Sequence, residues 1–147
     1  MQNPLINPSV PPLLPFIIFP MRRRILTDRA PKPVGPYSQA IEVNNTLYLS
    51  GQIGIDPDKG TLPGGFKDQA QQVFKNIDSI LKSAGYKRSD IVKVVIYLTD
   101  ISRFSELNSL YESFFEGVEV KPARVTVGVK ELPLNAQIEV EVTAVKD

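Results

Sequence analysis

This chain has no cysteine and no histidine. Without cysteine there is no disulfide framework, no thiolate nucleophile and no Cys-ligated metal. Without histidine, the commonest metal ligand and the commonest general base are both missing. Glycine-rich phosphate loops of the Walker or dinucleotide type are absent, as is the spaced Asp/Asn/Gly pattern of a calcium loop. No metal and no cofactor is therefore expected. An unbroken apolar run is lacking too. Residues 10–20 are apolar, but Pro11, Pro12, Pro15 and Pro20 cut them into pieces too short for a membrane-spanning helix. Acids are missing from the first 27 residues, where Arg22, Arg23 and Arg24 carry the only charges. Residues 28–147 hold 14 basic and 16 acidic side chains, a net of −2 that leaves no electrostatic footprint for nucleic acid.

What remains is 147 residues, 42% hydrophobic and 22% charged, which fits one folded domain. Nine of the 13 prolines fall in the first 36 residues, so residues 1–24 read as a Pro-rich, Arg-containing extension and 25–147 as the domain. The positive charges follow the apolar run, the reverse of a secretory signal. An acid-free, Arg-bearing leader fits organelle targeting, which leaves the cytosol and the mitochondrial matrix both open. Met21 is also a possible internal start, and a disordered tail without a role is the plain alternative.

Along the domain, residues 37–43 and 46–53 read as strands joined at Asn44-Asn45. A helix is expected over 66–83, where Ala70, Val73, Phe74, Ile77, Ile80 and Leu81 form one stripe and Gly85 stops it. The β-branched run 91–99 reads as a central strand. A second helix follows over 103–116, then strands over 124–129 and 138–145. The order β-β-α-β-α-β-β gives an α+β domain: a mixed sheet with two helices on one face.

Two helices cover one side of such a sheet. Strand side chains alternate. If every apolar set faces the helices, then Ser50, Arg124, Thr126, Glu139 and Glu141 share the uncovered side with Tyr48 and Tyr97. The tyrosines favour a second copy there over bulk water, so a homo-oligomer with a small-ligand cleft at its boundary is expected. Arg124, after Lys121-Pro122-Ala123, has two readings: a fork for a substrate carboxylate, or a structural ion pair with Glu139 or Glu141. The glutamates are either proton carriers or solvated residues of a half-exposed strand. Gly51 permits a bulge or a close backbone approach. Tyr37 is a pocket wall or core, and Asn108 fixes a loop or is merely solvated.

Together these segments resemble the RidA/YjgF family. The matching stretches are Gly35-Pro36-Tyr37-Ser38-Gln39, Ser50-Gly51-Gln52-Ile53, Ile91-Val92-Lys93, Asn108 with Tyr111, Phe114 and Phe115, Lys121-Pro122-Ala123-Arg124, Leu132-Pro133 and Ile138-Glu139-Val140-Glu141. The resemblance implies a chorismate-mutase-like fold, a homotrimer with clefts between subunits, and hydrolysis of 2-imino or enamine acids to 2-keto acids and ammonia, which protects pyridoxal-phosphate enzymes. On that pattern Arg124 and Glu139 are catalytic, and Tyr37, Ser50, Asn108 and Thr126 bind substrate. Thr126 stands where many members have cysteine, and Gly54 where proline is common, which suggests a looser loop. A non-catalytic ligand-binding or regulatory module and a translation-inhibiting, ribonuclease-like activity are the alternatives.

Overall fold

The structure is a computed structural model and describes residues 21–147; the extension expected over 1–24 lies outside the described residues as far as residue 20. Six strands and two helices follow one another as β1 (Arg22–Ile25), β2 (Ala40–Val43), β3 (Thr46–Leu49), α1 (Phe66–Ala84), β4 (Ile91–Leu98), α2 (Phe104–Phe114), β5 (Ala123–Gly128) and β6 (Ile138–Val145). One mixed sheet runs β1-β2-β3-β6-β4-β5. Among the described residues only β4 and β5 pair in parallel, because α2 carries the chain back across the sheet between them. Among the described residues no helix is long and apolar enough to cross a membrane.

The expected elements are present with small shifts at their ends, and one strand was not foreseen. Strand β1 draws Arg22, Arg23 and Arg24 into the sheet, beyond the expected domain start at Ile25. Charge hid this strand: three arginines in a row carry no period-2 pattern. Tertiary contacts hold it instead. Arg23 donates to Glu42 on the neighbouring strand at 3.1 Å and to the Ala84 carbonyl at the end of α1 at 3.2 Å.

Helix α1 forms where its apolar stripe predicts and stops at Gly85, whose φ of 83° is the left-handed conformation that glycine adopts without steric cost. The Tyr86 and Gly85 amides close the end onto the carbonyls of Leu81 and Lys82. The stripe packs on the buried residues Ile138, Val140, Val142 and Ala144 of β6 and Val94, Ile96 and Leu98 of β4. Helix α2 joins this core through aromatic contacts: Phe74 stacks on Phe114 at 4.9 Å, and Tyr111 leans on Phe115 at 4.7 Å. Among the described residues no helix covers the other face, where Tyr48, Val125 and Val127 are 52, 42 and 37% exposed.

Residues on paired strands that oppose each other share a face. Arg124 pairs with Val94 and Thr126 with Ile96, both buried under the helices. Glu139 pairs with Tyr97 and Glu141 with Val95, on the open side. The expectation that Arg124 and Thr126 share the uncovered side with Glu139 and Glu141 is therefore wrong. It assumed that apolar residues of every strand point to the helices. On the edge strand β5 the reverse holds: Val125 and Val127 look outward, and the polar residues turn toward α2.

Candidate functional site

Two clusters of polar groups stand out, one on each side of the sheet. The first centres on Glu139. After β3 the chain kinks at Ser50-Gly51 and rejoins the sheet through a two-way bridge, with Gln52 and Val140 exchanging hydrogen bonds of 2.8 and 3.0 Å. This lays the Gly51 backbone against the Glu139 side chain. A Cβ on Gly51 would sit 2.4 Å from Glu139 Oε1, so a larger residue there would push the carboxylate aside. A cavity of about 140 Å³ opens there, bounded by Tyr37, Gly51, Gln52 and Glu139 on its polar side and by Pro31, Pro33, Val34, Ile53, Ile55 and Pro133 elsewhere.

Buried amide side chains build these walls. Gln39 is 1% exposed; its Nε2 donates to the carbonyls of Thr27, Ala30 and Pro31, and its Oε1 accepts from the Thr27 amide. That fixes the loop leading to Tyr37, whose hydroxyl accepts from the Val34 amide at 3.2 Å. Asn76 of α1 donates to the carbonyls of Ile53 and Ile55 at 3.3 and 2.9 Å. Gly54 is no loosened point: a Cβ there would lie 2.4 Å from the Gln69 carbonyl oxygen of α1. The loop is tight because helix and loop backbones touch. Pro133 sits in a turn where Leu134 is forced to a φ of 57°, a strained geometry for a leucine.

Among the described residues no cation lies within 4 Å of Glu139. Burial, and then the charge of Glu141, push its carboxyl above the usual glutamate range. Burial and the same two carboxylates also raise the Tyr97 phenol. Such a carboxyl holds its proton closer to neutral pH than a surface one.

The second cluster centres on Arg124. Its guanidinium lies over the Tyr111 ring at 4.8 Å and the Phe104 ring at 5.3 Å. No carboxylate among the described residues comes within 4 Å of it, so the structural ion pair with Glu139 or Glu141 does not form. Two hydroxyls beside it, Tyr111 Oη and Thr126 Oγ1, are buried with no hydrogen-bond partner. Burial raises the Tyr111 phenol against the opposing pull of Arg124. Asn108 lies one helical turn from Phe104 and three residues before Tyr111, on the same side of α2. Lys121 fastens the approach to β5 by donating to the carbonyls of Phe115, at 3.0 Å, and Val118.

Glu139 and Tyr37 thus come together in one cluster, Arg124 and Thr126 lie on one face of β5 in the other, and Asn108 sits on the side of α2 that carries Phe104 and Tyr111. Ser50 joins neither: its Oγ donates to the Ser38 carbonyl at 2.6 Å and it does not border the cavity. Within one chain the two clusters do not converge. Arg124 and Glu139 lie two strands and three residues apart, about 14 Å in the sheet plane from strand spacings, and on opposite faces. Sequence reasoning missed Tyr111 as a member of the arginine cluster because an aromatic at helical spacing reads as core. Its place three residues after Asn108, on the face that carries Phe104, was the available signal.

Comparisons with known proteins agree on the family. The family model described as Endoribonuclease L-PSP matches residues 27–146. A RutC family protein of Aquifex aeolicus is 64% identical over 84% of this chain and 99% of its own length. The 2-iminobutanoate/2-iminopropanoate deaminase of Mus musculus is 42% identical, covering 86% of this chain and 93% of the mouse protein. In three dimensions the chain superposes on RidA from an Antarctic Psychrobacter with a TM-score of 0.82 and 44% identity, over 84% of this chain and 99% of that one.

Proposed function

The chain belongs to the RidA/YjgF family, the Endoribonuclease L-PSP family of the matching model, and from that premise we propose that it hydrolyses reactive 2-imino and enamine acids to 2-keto acids and ammonia. One observation carries this reading: a half-buried, cation-free carboxylate at a cavity, in a chain whose one similarly unpaired guanidinium in the family motif lies elsewhere. Each cluster holds half of what the reaction needs. Arg124 forks the substrate carboxylate, with Thr126 and Asn108 beside it. Glu139 faces the imine carbon, with Tyr37 as a wall. The halves meet when a second copy of the chain, in a homotrimer, covers the open sheet face and brings its own arginine edge to the Glu139 cavity.

The chemistry asks for little else. A protonated imine is already electrophilic. Water adds to its carbon as Glu139 takes one of its protons, giving a neutral carbinolamine. Glu139 returns that proton to the nitrogen, and the C–N bond breaks as the hydroxyl gives its own proton to Glu139 and becomes the keto oxygen. The departing ammonia takes that second proton away, so one protonated imine and one water become one keto acid and one ammonium. A carboxyl titrating above its usual range is suited to both taking and returning that proton. Positioning does the rest. The mouse relative's name agrees with this substrate class.

The test couples threonine dehydratase to the full chain and follows 2-ketobutanoate release. Faster release than with the dehydratase alone is expected; an unchanged rate defeats the proposal. The family description favours one second reading, an endoribonuclease. It requires RNA cleavage that disappears when Arg124 is changed. Imaging chains that start at Met1 and at Met21 decides between the cytosol and the mitochondrial matrix.

A further inference from the structure

The outer surface of the helix layer, across the sheet from Glu139, carries charge in an ordered way. On α1 the exposed charges turned away from the core are Asp68, Lys75 and Lys82; on α2 they are Glu112 and Glu116, with Ser105 before them. The two helices run side by side and in step. Phe66 meets the Arg103 guanidinium at 5.4 Å, and Phe74 meets the Tyr111 ring at 6.3 Å, the same offset along both helices. That offset sets Lys75 level with Glu112 and Asp68 level with Ser105, and brings Lys82 within a turn of the level of Glu116. Yet Lys75, Glu112 and Glu116 form no ion pair among the described residues. Their side chains leave neighbouring helices in the same outward direction, from axes about 8–10 Å apart. Lys82 shares Asp78 with Arg88 and its side chain stays 73% exposed. Between the two rows runs a groove floored by Phe74, Leu110 and Phe114.

We propose that this surface is self-complementary and that two copies of the chain associate through it about a two-fold axis lying along the groove. Such an axis turns the second copy over while keeping each level, so α1 of one copy lies on α2 of the other. Lys75 then meets the partner's Glu112, Lys82 meets the partner's Glu116, and Asp68 meets the hydroxyl of the partner's Ser105. Symmetry makes every one of these contacts twice. A two-fold across the groove would lay lysine on lysine and glutamate on glutamate, so charge selects between the two arrangements. A partner of one charge sign matches only one helix; a second copy supplies both signs in the matching order. Area sets the strength. Helix α2, the shorter of the two at 11 residues, limits the overlap; about 16 Å by about 20 Å gives roughly 300 Å² per copy. A stable complex needs about 800 Å² per partner, and exposed ion pairs add little each. The association is therefore weak and salt-sensitive, with a Kd on the order of 10⁻⁴ M. It uses the helix side of the sheet, so it adds to any assembly on the open face and does not depend on the deaminase reading.

Sedimentation equilibrium of the full chain, from about 10 μM to about 1 mM in about 0.05 M and about 0.5 M salt, reads the mass directly. The mass should climb toward twice that of the species present at the lowest concentration, with the midpoint moved at least about ten-fold upward by the higher salt. Lys75→Glu and Glu112→Lys should each abolish the climb with unchanged circular dichroism. Mixing the two single variants in equal amounts should restore it, because both contacts of a mixed pair then join opposite charges, and the double variant should restore it as well. A constant mass at every concentration, a climb indifferent to salt or to the single reversals, or reversals that fail to rescue one another overturn the proposal.

Discussion

The two polar clusters differ in how finished they are. The Glu139 cluster is enclosed by its own chain: Gly51 admits the carboxylate, Gln39 ties down the loop before Tyr37, and Asn76 holds the floor. The Arg124 cluster lies on an edge strand, its guanidinium resting on two rings and its neighbouring hydroxyls unpaired. Leaving two buried hydroxyls without partners costs on the order of 1–3 kcal/mol each, an expense that a folded chain carries where a ligand or a second copy completes the site. One half is preorganised by folding; in the proposed homotrimer the other is completed by assembly.

The sharpest way to break this contrast is to disable each half separately. Arg124→Lys keeps the charge but loses the fork and the ring contact. It should lower activity by about 100-fold or more with unchanged circular dichroism. Glu139→Gln should cost ~10²- to 10⁴-fold, the usual worth of a general acid–base. If the halves come from different copies, co-expressing the two variants restores a sizeable fraction of the activity, since some boundaries then combine an intact Arg124 with an intact Glu139. No recovery in the mixed protein would show that one chain supplies both.

Gly51→Ala probes the finished half. Its added carbon collides with Glu139 Oε1, so the carboxylate must move. A fall in kcat of about ten-fold with little change in KM is expected, the signature of a misplaced proton carrier.

Smaller effects come from pH. Because burial and Glu141 raise the Glu139 carboxyl, the acid limb of the rate profile should lie above the ordinary glutamate range, and Glu141→Gln should move it down. The linked stability has a definite sign. A carboxyl whose folded value is raised favours the fold fully below its unfolded value, and that contribution is lost as pH rises through the folded value. Glu139→Gln should therefore raise Tm at neutral pH and lose this advantage in acid; a lower Tm at neutral pH would mean the carboxylate has a partner.

Smallest is Thr126→Val. Removing a buried hydroxyl that bonds to nothing should stabilise the free chain by about 1 kcal/mol, the low end of that cost. A loss of stability instead would show that Thr126 Oγ1 is already satisfied.

Much of this molecule was legible from residue order. Both helices, the central strand and the last strand appear where periodicity puts them, because a stripe at helical spacing or a β-branched run has few other ways to hide from water. The roles open to the chain were narrowed the same way: without histidine or cysteine, chemistry falls to arginine, carboxylates and hydroxyls. Strand β1 was not legible, since the contacts of Arg23 with Glu42 and Ala84 join residues far apart in sequence. Nor was the side of the sheet on which Arg124 lies. Alternation says that Arg124 opposes Val125, but which of the two meets a helix depends on where α2 docks and on β5 being an edge. A period of two carries no sign; only the packing of one element on another supplies it, and here that packing places the arginine and the glutamate on opposite sides of one chain.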